Sequence, residues 1–211
     1  ITNNIASGYR GSGLVVVGST KSPTITHCLF ENNLGRAISC NNSNPLIRNS
    51  IVKNNPGGGI FIGSASPVLQ NVTFQGNEQA IKIEADYDEV SLPIFDHCLI
   101  TDNTARTRGA AIYCTNASSS PRFINCTIAN NTLEWGGDGS AIYSVFDSQI
   151  FLVNTILSGN TPGSLYMHEA YPSALIFDHS NVEGGLEGIR GNADSVKWLE
   201  GNVDLNPGFA N

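Results

Sequence analysis

The chain has 211 residues, enough for one large domain or two small ones. Charged residues make up 14% of it and 22 residues are glycine; this is well below the charge content of about 25% typical of globular proteins and lacks the charge density that keeps disordered chains open. With 18 acidic against 11 basic residues the net charge is −7, which excludes nonspecific nucleic-acid binding through a basic surface, and no apolar run reaches the ~18 residues of a membrane-spanning helix.

In chain order, the sequence repeats. Ile1-Thr2-Asn3-Asn4 fits the end of a repeat, so the chain is expected to start mid-coil and to derive from a longer protein. The alternating pair Leu14/Val16 precedes the first full copy of a nine-residue pattern, Ile25 to Asn33: apolar, any, Asn or His, small, any, apolar, any, any, Asn. Ile38/Cys40 then precedes the copy at Ile47, Ile60/Ile62 that at Leu69, and Ile81/Ile83 that at Phe95. Ile112/Cys114 precedes the copy at Phe123, Ile142/Ser144 that at Leu152, and Leu165/Met167 that at Phe177. Successive copies start 22 to 29 residues apart. Near Glu183 the repeat fades, so coils are expected over 1–185 and a closing segment of the same domain over 186–211.

Period-two alternation in short segments is the mark of strands with one buried face. A repeat of ~25 residues is too short for a helix pair and fits one strand-turn-strand coil. Coils stacked at ~4.8 Å bury a continuous apolar column and pair each backbone with its neighbours. Asparagine suits the bends, because it tolerates left-handed backbone and its amide bonds local groups and stacked copies. The fold class is therefore all-β, a parallel solenoid of about seven to eight coils.

Ser120-Pro121-Arg122-Phe123-Ile124-Asn125-Cys126-Thr127-Ile128-Ala129-Asn130-Asn131 and Gly109-Ala110-Ala111-Ile112-Tyr113-Cys114 resemble repeats of right-handed parallel β-helix proteins of the pectin-lyase-like superfamily. They are most similar to the carbohydrate-binding and sugar hydrolase repeat group of secreted bacterial proteins. The segment from Gly201 to Asn211 resembles one that follows such repeats. The resemblance implies an extracellular or cell-surface location and a polysaccharide partner. The catalytic signatures of the superfamily are missing: there is no Asp-Asp pair, no Gly-His-Gly, no Asp-Pro-His-Glu and no Arg-x-Pro-x-x-Arg.

Between the inward pairs lies an outward column ending in Tyr113, Tyr143 and Tyr166 on consecutive coils. Aromatic rings on a rigid surface suit a sugar chain, the ring face meeting C–H groups and the hydroxyl bonding oxygen. The links before Ile112 and Ile142 are longer than the others and carry Arg106 and Arg108, then Glu134, Trp135 and Asp138. Solenoid loops cluster on one face and bind there. Tyr113, Tyr143, Tyr166 and Trp135 are thus the expected stacking surfaces, with Arg106 and Arg108 neutralising acidic sugars. Glu134 and Asp138 are the weak catalytic candidates if the chain is a lyase or hydrolase, with Arg106 or Arg108 steadying the substrate carboxylate.

Glu84, Asp86, Asp88 and Glu89 form an acidic turn with the ligand chemistry for Ca²⁺, although the expected function requires no cofactor. His27, His97 and His179 share a column with asparagines and are expected to bond at bends. The five cysteines fall in inward columns; Cys98 and Cys126 are column neighbours, and whether they are bonded is left open, because stacked parallel side chains have poor disulfide geometry. An outward, mostly apolar column, Leu29, Ile51, Thr73, Leu99, Thr127 and Ile156, offers a stripe for a partner domain or for self-association. The expected function is polysaccharide binding; the alternatives are cleavage of an acidic polysaccharide and a stalk or adhesin segment of a larger surface protein.

Overall fold

The computed structural model describes residues 1–5, 11, 13–18, 22–86, 89–116, 118–168, 173–192 and 195–209. They form a parallel β-solenoid of about 7 turns with almost no helix. Among the described residues one sheet has eight strands: Leu14–Val17, Ile38–Asn41, Ile60–Gly63, Ile81–Glu84, Ile112–Thr115, Ile142–Val145, Leu165–Met167 and Ile189–Gly191. We call this the front sheet. A second sheet of thirteen strands carries the nine-residue pattern.

The pairing follows the sequence columns residue by residue. Leu14, Ile38, Ile60, Ile81, Ile112, Ile142 and Leu165 lie in one register across the front sheet. The first column of the pattern aligns Ile25, Ile47, Leu69, Phe95, Phe123, Leu152 and Phe177, and Trp198 extends it. These side chains point inward into one continuous core, which includes Phe30, Phe74, Phe95, Phe123 and Phe177 at 0% exposure. Phe95 and Phe123 stack at 4.6 Å. Each such side chain contributes roughly 1.5–3 kcal/mol on burial, so one coil alone cannot hold its face dry and the stack can.

Two columns make the corners. The third column, His27, Asn49, Asn71, His97, Asn125, Asn154 and His179, has φ between 47° and 55° throughout. The eighth column, Asn32, Asn54, Gly76, Asp102, Asn130, Gly159 and Gly184, is left-handed as well, with φ of 54° to 85°. Gly, Asn and Asp adopt this conformation most cheaply and His is enriched in it, which explains both compositions. The ninth column does not bend; it bonds. Asn33, Asn55, Asn77, Asn103, Asn131 and Asn160 are buried, and the side-chain oxygen of each of the last five accepts from both the backbone N–H and the side-chain amide of the asparagine one coil earlier.

Beyond Glu183 the coil continues in a looser form. Ile189–Gly191 joins the front sheet, Val196–Trp198 pairs with Leu175–Phe177, and Trp198 lies against Phe177 at 5.3 Å. All five cysteines are free thiols.

Candidate functional site

The outer face of the front sheet carries Val15, Ser39, Phe61, Lys82, Tyr113, Tyr143, Tyr166 and Arg190 in one register. Coil spacing sets the rings one above another: Tyr113 and Tyr143 stack at 5.4 Å, Tyr143 and Tyr166 at 5.2 Å, with their planes 11° and 12° apart. Both faces of Tyr143 and one face each of Tyr113 and Tyr166 are thus taken up by stacking, and what the ladder presents outward is mainly its edge. Lys82 Nζ lies 5.9 Å from the Tyr113 ring and 5.6 Å from Phe61, which extends the stack toward the earlier coils. Tyr143, in the middle, is only 3% exposed. Burial raises the Tyr113 and Tyr143 phenols above their ordinary value, and the Arg108 charge pulls both part of the way back.

The two lengthened loops do not lie loose over the ladder. They stack on each other as Thr104–Ala105 against Thr132–Leu133, with a further bridge from Arg108 to Asp138. Ala105, Ala110 and Leu133 form a small buried cluster beneath them. Gly137 permits the approach: its φ is +117°, and a Cβ there would run into the Thr107 carbonyl oxygen. This stacking sets Arg106 5.1 Å over the Trp135 ring and Arg108 5.1 Å over the Tyr143 ring. Trp135 is 70% exposed, the most open aromatic side chain of the described residues.

Three hollows open around the loops. One of about 340 Å³ is lined by Arg108, Trp135, Asp138, Tyr143, Tyr166 and His168. A second, of about 500 Å³, joins Arg106, Arg108 and Tyr113 to Arg36, Glu78 and Gln79. The third, of about 690 Å³, lies on the other side of Arg106 and is lined by Glu78, Thr104 and Glu134 among others. Arg106, Arg108, Tyr113, Tyr143, Tyr166 and Trp135 therefore share one continuous region. Glu134 and Asp138 line different hollows, and Asp138 accepts from Arg190 Nη1 at 2.6 Å.

Three residues of the acidic turn are described. Glu84 pairs with Lys82 at 2.8 Å, the Asp86 backbone N–H donates to Ser64 Oγ at 3.0 Å, and Glu89 is exposed. Asp88 lies outside the described residues. Among the described residues no three His, Cys, Asp or Glu side chains are grouped so as to hold a metal ion. His27, His97 and His179 sit exposed at left-handed corners, and each Nδ1 bonds the preceding side chain at 2.7–2.8 Å.

Two residues of this region carried no sequence signal. Arg36 sits in a short link between coils and looks like any surface cation. Arg190 continues the tyrosine column, but beyond the point where the repeat is recognisable. Burial draws the Arg36 guanidinium down to about 10, opposed by the charges of Glu78 and Glu84.

The family model described as "Right handed beta helix region" matches residues 1–161 and, in a second overlapping match, 68–203. The chain belongs to the right-handed β-helix family. No curated protein and no solved structure gives a significant match. The family match and the parallel coils together establish the handedness and architecture of this β-helix, and the superfamily resemblance of its repeats is consistent with both. No helix among the described residues is long and apolar enough to cross a membrane. One β-helix fold carries many functions, so the site has to argue for itself.

Proposed function

We propose that this β-helix is an extracellular polysaccharide-binding module whose chain-binding surface is the outer face of the front sheet beside the two stacked loops. The observation that carries this reading is the exposed Trp135 set next to an edge-on tyrosine ladder, with hollows on both sides of Arg108. A long ligand needs a long, rigid and amphipathic track, and a column repeating at the coil spacing supplies one. The indole offers a flat face to sugar C–H groups, whereas the tyrosines offer mainly hydroxyl-bearing edges, since the faces they turn to one another are already paired. Arg106 covers one side of the indole and holds its orientation.

A cleavage reading has less support. A general acid and base must both reach one scissile bond, whereas Glu134 and Asp138 line separate hollows and Asp138 is tied to Arg190. A stalk or adhesin reading draws on the outward column of Leu29, Ile51 and Leu99, exposed at 38%, 44% and 39%.

Affinity electrophoresis of the purified chain in gels containing neutral or acidic polysaccharide tests the proposal. Retardation by at least one polysaccharide, reduced by Trp135→Ala, is expected. Migration unchanged across the whole panel would overturn it and favour the stalk.

A further inference from the structure

The protein carries a net charge of −7, yet one hollow on it is positive. In the 500 Å³ hollow three arginines, Arg36, Arg106 and Arg108, face one glutamate, Glu78. The neighbouring charges Lys82 and Glu84 pair with each other and cancel. Glu78 does not neutralise the set: its carboxylate lies 3.9 Å from Arg106 Nε, a long and largely exposed contact. No ion pair among the described residues engages Arg36 or Arg108.

Arg36 is the unusual member. Its Nη2 donates to the neutral oxygen of Gln79 at 2.9 Å, while its Nη1 is buried without a hydrogen-bond partner. A guanidinium in a folded interior is ordinarily paired with a carboxylate or freed into water. Here it is held by stacking near Phe61, 5.9 Å from the ring, and packed so closely on Gly58 that a Cβ there would stand 2.8 Å from Nη1. Arg106 and Arg108 lie in turn against the Trp135 and Tyr143 rings, and the long contact of Arg106 to Glu78 is the one ion pair either of them makes among the described residues. Three cations kept at one hollow by aromatic and amide contacts, on an acidic protein, are a site whose counter-charge comes from outside.

We propose that this hollow binds the oxyanion of an acidic saccharide, a uronate carboxylate or a sulfate ester, with Arg106 and Arg108 contacting the anion and Arg36 supplying a fixed positive charge in the floor beneath it. This rests on the polysaccharide-binding reading and adds Arg36, which the sequence did not single out, as the residue that selects an acidic sugar over a neutral one. Fixed, poorly solvated charge favours an anion more than a flexible surface lysine does, because less solvent has to be reorganised. The charge stays under-compensated in the free protein, which is a cost to folding tolerated where binding needs it.

Isothermal titration of the full chain with three probes tests the proposal: a short oligouronate, the same oligosaccharide with its carboxyls reduced to alcohols, and inorganic sulfate. The oligouronate is expected to bind about tenfold or more tightly than its reduced counterpart, and sulfate to compete with it. Arg36→Met is expected to weaken oligouronate binding about tenfold while leaving the reduced sugar unaffected and the melting temperature unchanged or higher, the opposite of what a structural arginine would do. Arg106→Gln, on an exposed side chain, repeats the test without touching the interior. Equal binding of both oligosaccharides, unmoved by Arg36→Met, would overturn the anion site and leave sugar binding standing. Binding of sulfate, sensitive to Arg36→Met, without binding of either sugar would overturn the saccharide reading and keep the anion site. Silence with all three probes would overturn both.

Discussion

At the scale of single residues, the asparagines divide the work of the coil. Asn103 accepts from the Asn77 backbone N–H and side-chain amide, and its own amide donates to the carbonyls of Phe74 and Thr101 and to Asn131. Asn103→Ala strands several of these buried groups at once, and each one left unmade costs about 1–3 kcal/mol. The expected loss in urea unfolding is about 3 kcal/mol or more. Asn125 is a corner residue at φ 55° whose half-exposed side chain donates to Asp96 Oδ1 at 3.2 Å and accepts from Asn154 Nδ2 at 2.7 Å. Asn125→Ala carries the left-handed penalty of about 1–2 kcal/mol and loses the two solvent-accessible side-chain bonds, and Asn125→Gly is expected to restore the backbone part of the loss. Equal losses from Asn103→Ala and Asn125→Ala would contradict this division. The sequence shows two asparagine columns and says that Asn bends or bonds, but it does not assign the tasks. The second corner passes as a free position, although Asn, Asp and Gly alone occupy it; the restriction is visible only once φ is known.

At the scale of elements, the tyrosine ladder and the loop pair support each other. Arg108 lies on the Tyr143 ring, and the loops that hold Arg108 pair through Thr104–Ala105 and Thr132–Leu133. The phenols of Tyr113 and Tyr143 are raised chiefly by burial. A raised acid binds its proton more tightly in the folded than in the unfolded chain, so its stabilising contribution is complete below the unfolded value of about 10 and falls as pH climbs past it. Stability is therefore expected to drop more steeply above pH 10 in the parent than in Tyr143→Phe, followed by thermal melting across that range. Parallel curves would mean that the ladder does not feel its burial. Loop length and tyrosine spacing are legible in the sequence, and the column falls where its period puts it. That the rings turn their faces to one another is not legible, because spacing gives the distance between coils and not the orientation of a side chain.

At the scale of the whole molecule, the protein is a one-dimensional stack whose stability sums over coils and their interfaces. The apolar columns make this architecture readable from the chain alone, since a strict register leaves little freedom in what packs on what. Arg36 is unreadable for the same reason: links between coils obey no column, so nothing in the sequence tells a buried cation there from a solvated one. Two thiols report how cooperative the stack is. Among the described residues Cys40 lies on the strand next to the outermost one of the front sheet, and Cys114 lies on a central strand. Both are buried, and burial pushes both thiols up to about 12. A maleimide reaches either buried thiol only when its coil opens, so a difference in labelling rate measures a difference in opening. In a stack that frays coil by coil, Cys40 is expected to react with a maleimide roughly tenfold or more faster than Cys114, since fewer interfaces have to break to expose it. Mass spectrometry of peptides after timed labelling under native conditions reads both rates in one sample. Identical rates would show that the coils open as a single unit, with the asparagine ladder binding the edge as firmly as the centre.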